Sequence, residues 1–244
     1  MPRQEAEGLN ELLVGVVPAA GYATRLQPMS GSKEVYPIAG KPVMDYLVEK
    51  MTAAGCSDIR VVTRPERTDV VSHATATGLR VVEAYPRSVS ESLLHGLTGI
   101  DDTAVVIFGF PDTIWEPPDG FLRLTAALRA PYDVALGVFT GREPERSDVV
   151  VLDASGRVTE IQVKPRRPRS NLIWGCCAAR AWVLRAMQGI DEPGDYFNSM
   201  CQAGRIAGVY LSDEFIDIGT RERLRELTQS TEPGASRRRR EKSR

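Results

Sequence analysis

The sequence predicts a single α/β domain with a mixed, mostly parallel central sheet flanked by helices. Three observations carry that expectation. Short apolar runs alternate with helix-length amphipathic segments through the first half of the chain, and continuous apolar strands separated by helices belong to a parallel sheet covered on both faces. Beyond residue 133 the connections shorten into turn-linked strands, the mark of antiparallel pairing. A length of 244 residues is enough for one large core, and 42% hydrophobic against 26% charged residues is the balance of a globular chain.

Taken in order, Leu12 to Val17 reads as a buried strand. The segment VMDYLVEKMTAAG follows Lys41 and Pro42; its Val43, Leu47, Val48 and Met51 fall at helical spacing and Gly55 lies past its end. DIRVVT (58–63) is a second strand, 65–78 a helix, LRVVE (79–83) a third strand, SESLLHGLTGI a helix and 104–108 a fourth strand. The rhythm is βαβαβαβ. An amphipathic helix over 119–130 and a strand over 133–139 come next, then SDVVVLDASGRVTEIQV as two strands about a turn at Asp153 to Gly156. Further expectations are a strand over 173–178, helices near 181–187 and 195–203, a strand over 206–211 and a final helix from Thr220 to Gln229. The domain is therefore placed at 12–229, between a flexible N-terminal arm (1–11) and a disordered basic tail (230–244).

Composition narrows the function classes. No apolar run is long enough to span a bilayer, and the polar, acidic start MPRQEAEGLNE lacks the basic and apolar regions of a signal peptide, so a cytoplasmic location with no membrane partner is expected. The formal net charge is −1. The tail SRRRREKSR holds six basic residues and one acid, so +5 resides there and −6 in the remainder. An acidic body argues against nucleic-acid binding, and the tail has no aromatic residues for bases to stack on. Cys56, Cys176, Cys177 and Cys201 form no C-x-x-C pair and read as buried reduced thiols; adjacent strand residues point to opposite faces, so Cys176 and Cys177 are not expected to bridge. His73 and His95 are the two histidines, which leaves little for histidine catalysis or zinc.

The stretch VGVVPAAGYATRLQPMSGSKEVYPIAGKPV, 14–43, carries the chemistry. Ala19, Ala20, Gly21, Tyr22, Ala23 and Thr24 follow the first strand, where small residues let backbone N–H groups approach an anion, and Arg25 and Lys33 add positive charge. Neither G-x-x-x-x-G-K-[ST] nor G-x-G-x-x-G occurs. Farther on, Asp112 ends the strand segment VVIFGFPD, at the sheet edge where open α/β proteins bind ligands. Asp217 sits in EFIDIGT between two apolar residues. Two such carboxylates suit Mg²⁺, which keeps waters and phosphate oxygens; the bland alternatives are turn and helix caps.

The order A-A-G-x-x-T-R-L-x-P followed by S-K-E-x-x-P-I-x-G-K-P-V resembles the signature of the sugar-1-phosphate nucleotidyltransferases, in particular the glucose-1-phosphate thymidylyl- and uridylyltransferases. The resemblance runs from about Val14 to about Leu224 and implies a single-domain Rossmann-like nucleotidyltransferase fold. It implies Arg25 on the leaving β and γ phosphates, Lys33 on the α-phosphate, and Mg²⁺ on Asp112 and Asp217. VTEIQVKPRRPRSN resembles the family's E-K-P-x-x-P-x-S-N stretch, implying Lys164 on the sugar phosphate with Asn171 and Gly175 beside the sugar. EAYPRSVSE aligns with the base-reading segment, placing Glu83 and Ser88 at the base; Glu83 reads equally as a charged strand end.

The chain departs from the family at Ala23 and Ser32 in the loop, at Pro111 before Asp112, at Val163 where a sugar-binding glutamate stands, and at Ser147 and Asp148 where tyrosine and glycine stand. Val163 removes an acceptor and Asp148 adds one with bulk, which points away from ordinary glucose 1-phosphate. The expected reaction is nucleotidyl transfer from an NTP, dTTP or UTP favoured and GTP admitted, to a non-glucose or modified sugar 1-phosphate. Alternatives are a cytidylyltransferase acting on a phosphorylated alcohol and a non-catalytic nucleotide-sugar-binding homologue. The partners are small molecules, and monomer or homo-oligomer stays undecided.

Overall fold

A computed structural model describes residues 12–22, 26, 29–219, 223, 224 and 227. The parallel half begins with β1 (Leu13–Pro18), where four successive apolar residues are buried. A single 3-10 turn (Lys33–Val35) and a two-residue ribbon, β2 (Pro37–Ile38) with β3 (Lys41–Pro42), lead into α1 (Val43–Ala53). Then come β4 (Asp58–Thr63), α2 (Thr68–Ala76), β5 (Arg80–Glu83), α3 (Val89–Gly96) and β6 (Val105–Gly109). Strand β1 lies between β4 and β6, and β4 pairs with β5, all in parallel.

The second half follows with β7 (Thr113–Trp115), α4 (Gly120–Ala127), β8 (Val134–Thr140), β9 (Val149–Leu152) and β10 (Val158–Gln162). It ends with β11 (Leu172–Arg180), α5 (Ala181–Arg185), α6 (Pro193–Cys201), β12 (Ile206–Ser212) and β13 (Phe215–Asp217). Among the described residues nine strands form one mixed sheet. Strand β11 joins its halves: it runs antiparallel to β8 along one edge and to β6 along the other, where β9 also meets it at Ile173. The final expected helix lies mostly outside the described residues; Leu224 and Leu227 pack beside Ile38, Val43 and Ile218.

Alternation along the strands divides the core into two layers. Val14, Val16, Val106, Phe108 and Cys177 face Leu93 of α3 and Leu97 just past its end, Leu184 of α5 and Phe197 of α6. Val17, Val105, Ile107 and Cys176 face Leu47 and Met51 of α1 and Phe121 and Leu124 of α4. Each fully buried Leu or Phe contributes about 1.5–3 kcal/mol from water exclusion, so both sheet faces need their helices. The four cysteines are free and buried, and burial pushes the Cys56 thiol up to about 11. No helix among the described residues is long and apolar enough to cross a membrane.

Candidate active site

The carboxyl ends of β1, β4, β5 and β6 open onto one cavity of about 810 Å³, as an open α/β sheet dictates. Ala20, Gly21 and Tyr22 after β1 form part of its wall, with Lys33, Ser88 and Asp112. Ala19 is buried beneath and bonded on both sides, its N–H donating to the Val62 carbonyl (2.8 Å) and its carbonyl accepting from the Thr63 hydroxyl (3.1 Å). Ala23, Thr24 and Arg25 lie outside the described residues.

Lys33 is placed by its neighbour. The Ser32 backbone N–H donates to Asp69 Oδ2 (2.6 Å) and the Ser32 hydroxyl to Asp69 Oδ1 (2.8 Å). Proline at position 32 could make neither bond, so this departure from the familiar pattern ties the loop to the first turn of α2. Although burial weighs against ionisation, the Ser32 bonds hold the Asp69 carboxyl below the usual range. Lys33 Nζ then reaches Asp112 Oδ2 at 2.5 Å. Burial favours the neutral amine, but Asp112, followed by Glu34 and Asp217, outweighs it and holds the Lys33 ammonium above the ordinary lysine range.

Glu34 is fully buried beside Lys33. Burial pushes its carboxyl up against the opposing pull of Lys33 and Arg67; Oε2 accepts from Arg67 Nη1 at 3.0 Å, whereas Oε1 is buried without a hydrogen-bond partner among the described residues.

Asp112 and Asp217, 105 positions apart in the numbering, are neighbours through a ribbon that sequence periodicity did not reveal. Strands β7 and β13 pair antiparallel with Asp217 opposite Thr113, and the Ile218 N–H donates to the Asp112 carbonyl at 3.0 Å. Asp217 Oδ1 accepts from the Gly219 N–H at 2.6 Å. The ribbon lies against β11 because Gly175 has no side chain: a Cβ there would stand 2.2 Å from Phe215 Cε2. Gly175 thus supports the strand that carries Asp217.

The residues present fit Mg²⁺. Asp112 and Asp217 are hard carboxylate donors carried next to one another by the β7–β13 ribbon, with the Lys33 ammonium against Asp112. A cation held by one or two carboxylates and completed by substrate phosphates and water is the usual magnesium arrangement.

Arg64 was not singled out by sequence reasoning, although its place directly after a parallel strand is a usable signal. It is 7% exposed. Its Nε donates to the Ala20 carbonyl (3.0 Å) and its Nη2 to the Pro86 carbonyl (2.8 Å), fastening the β1 and β5 loops together. Tyr22 and Tyr85 flank the guanidinium, with ring centroids 4.2 and 5.7 Å away. Both rings are largely exposed, leaving aromatic surface at the mouth of the cavity. Ser88 is the N-cap of α3, its hydroxyl accepting from the Glu91 N–H at 3.1 Å. Glu83 is exposed at the end of β5 and is not part of the cavity wall.

At the other end, Lys164 adopts a left-handed backbone (φ 42°), rare for a residue with a Cβ. Its Nζ donates to Glu192 Oε1 at 2.7 Å, and Glu192 lines the cavity. Asp148 lies beside Lys164, with the pull of burial outweighing that of Lys164 so that its carboxyl is pushed up to about 6. Asn171 is exposed, and its carbonyl accepts from the Gly141 N–H at 2.7 Å. The fold thus gathers Lys33, Asp112 and Asp217 at one end and Asp148, Lys164 and Glu192 at the other.

Comparison with known proteins gives one family and consistent relatives. The MobA-like NTP transferase domain matches residues 15–233. A glucose-1-phosphate thymidylyltransferase of Neisseria meningitidis is 24% identical over 87% of this chain and 80% of its own length. The bifunctional protein GlmU of Methanocaldococcus jannaschii is 30% identical over 84% of this chain and 50% of its own. Among solved structures, a UDP-glucose pyrophosphorylase of Acinetobacter baumannii superposes with a TM-score of 0.76 at 15% identity, covering 94% of this chain and 98% of that one; this likeness is one of fold.

Proposed function

The chain belongs to the MobA-like NTP transferase family, and from that premise we propose that it transfers a nucleotidyl group from an NTP to a sugar 1-phosphate, releasing pyrophosphate. dTTP or UTP is favoured as donor, GTP is admitted, and the acceptor is a non-glucose or modified sugar. The observation that carries this reading is the pairing of Lys33 with Asp112 in the wall of a cavity of nucleotide size at the carboxyl ends of parallel strands, with Asp217 on the ribbon strand next to Asp112. Names of relatives that act on glucose 1-phosphate support the reaction class.

In this reading an oxygen of the sugar 1-phosphate attacks the α-phosphorus in line and the pyrophosphate departs. The attacking phosphate is already ionised, so no general base is required; positioning and charge stabilisation supply the rate. Lys33 neutralises the α-phosphate, Arg25 the departing phosphates, and Lys164 anchors the acceptor phosphate. Arg64 holds the β1 and β5 loops at the distance that admits a base beside Tyr22 and Tyr85. Asp112 and Asp217 would hold Mg²⁺, which when bound supplies neutralising charge to the triphosphate. The enzyme acts in the cytoplasm on small molecules.

The test crosses five nucleoside triphosphates with several sugar 1-phosphates and with phosphorylated polyols and choline, reading pyrophosphate with and without Mg²⁺. Magnesium-dependent release with a sugar 1-phosphate is expected. Release only with a phosphorylated alcohol, or none with any pair, would sink the proposal.

A further inference from the structure

Arg64 enters the large cavity as a charged side chain that the fold has nearly buried. It stands directly after β4, is 7% exposed, and lines the cavity with Tyr22, Tyr85 and Ser88. Burying a guanidinium is costly unless its donors are met. Two of its three nitrogens are met by backbone, Nε by the Ala20 carbonyl and Nη2 by the Pro86 carbonyl. Nη1 has no hydrogen-bond partner among the described residues, yet it is not one of the unpartnered atoms sealed inside the fold. The unused donor therefore faces the open cavity.

The surroundings of Nη1 say what kind of acceptor it awaits. Tyr22 and Tyr85 flank the guanidinium and are 61% and 64% exposed, so each keeps free aromatic surface for an entering ring. Arg87, in the same wall, is already paired with Glu91 at 2.7 Å. The phosphates have a cation of their own in Lys33, held against Asp112. Bonds to two separate loops fix the Arg64 guanidinium in place, so Nη1 is a single donor at a set point. Aromatic surface beside one fixed donor suits a flat heterocycle with a carbonyl oxygen on its edge.

We propose that Arg64 is the residue that chooses the base: Nη1 donates to the ring carbonyl oxygen that uracil and thymine carry at C4 and guanine at C6, while the base lies beside Tyr22 and Tyr85. This deepens the nucleotidyl-transfer reading and rests on it. Cytosine and adenine present an amino group at the same place. An N–H facing an N–H leaves both donors unmet where water is excluded, whereas a charge-assisted bond to a carbonyl oxygen is of the stronger kind. Discrimination thus has two sources, attraction of the keto base and rejection of the amino base.

The experiment measures pyrophosphate release by the full chain, with whichever sugar 1-phosphate supports turnover. Donors are compared in pairs that exchange a carbonyl for an amino group: UTP with CTP, dTTP with 5-methyl-dCTP, and GTP with the triphosphate of 2,6-diaminopurine riboside. In the pair that holds the best donor, the keto member is expected to exceed the amino member by about tenfold or more in kcat/KM, the scale of a bond to a charged group. In Arg64→Gln that ratio falls toward one, because an amide can turn either its nitrogen or its oxygen to the base. Loosened loops alone would weaken both members equally and leave the ratio in place. Should this variant not fold, the 4-thio or 6-thio analogue of the best donor decides on the wild type: sulfur is a weak acceptor, and kcat/KM falls about fivefold or more. Equal use of the two members, an amino preference, a ratio that survives in Arg64→Gln, or undiminished use of the thio analogue overturns the proposal while leaving nucleotidyl transfer standing. No turnover with any triphosphate overturns both.

Discussion

Lys33 Nζ lies 2.5 Å from Asp112 Oδ2, across 79 positions of the chain. The pair joins a cation suited to phosphate and a carboxylate suited to a metal, and Asp112 holds the Lys33 ammonium charged in a part-buried setting. In the proposed reaction an incoming triphosphate with its cation would exchange this internal partner for external ones, at a site already charged before substrate arrives.

Replacing Lys33 or Asp112 by alanine should lower pyrophosphate release about 10²-fold or more, the usual loss when a charge-stabilising group is removed. Circular dichroism should remain that of the folded chain, because neither side chain belongs to the core. Retained turnover in either variant would remove these residues from the chemistry.

Arg64→Lys should raise KM for the triphosphate more than it lowers kcat. Lysine keeps the charge but cannot present the planar fork that donates to both Ala20 and Pro86, so the loops lose their fixed separation. A fall in kcat at unchanged KM would assign Arg64 to the chemical step instead.

Gly175→Ala should destabilise the fold by about 1–3 kcal/mol, the range for overpacking, because the new methyl meets Phe215. Phe215 is two residues from Asp217, so the Mg²⁺ concentration for half-maximal activity should rise as well. Urea unfolding and a magnesium titration check the two effects separately; a variant with wild-type values in both would show that β13 does not need this close approach.

Burial pushes the Asp148 carboxyl up to about 6 from the ordinary aspartate value of 3.8. Between those values the folded chain binds more protons than the unfolded one, so this group makes stability fall as pH rises and adds a constant penalty above about pH 6. Asp148→Asn should therefore gain stability on the wild type as pH rises from 4 to 7.5. Denaturant melts at the two pH values test this, and a difference independent of pH would contradict it.

Much of the frame was legible in the sequence. The strands from Leu13 to Gly109 and the helices between them carry apolar residues at their own periods, and the antiparallel turn between β9 and β10 carries its own polar residues at Asp153 to Gly156. Lys33, Asp112 and Asp217 could be singled out in the sequence as charged groups beside a strand end or within an apolar segment, and Lys164 through the resemblance of its segment to the family's. The ribbon of β7 with β13 escaped notice because three-residue strands are too short to show a period. Arg64 and Glu192 escaped because their significance lies in partners from distant segments.

The sequence by itself determined the α/β class, the order of the longer strands and helices and the charged residues suited to a phosphate site, since local period and residue chemistry are written in neighbouring positions. Tertiary structure alone decided that Asp217 stands beside Asp112, that Ser32 is fastened to Asp69, and that Asp148 shares its corner with Lys164 and Glu192. Those relations depend on strand pairing and on packing across the sheet. Such long-range terms are settled by the whole chain excluding water from one core.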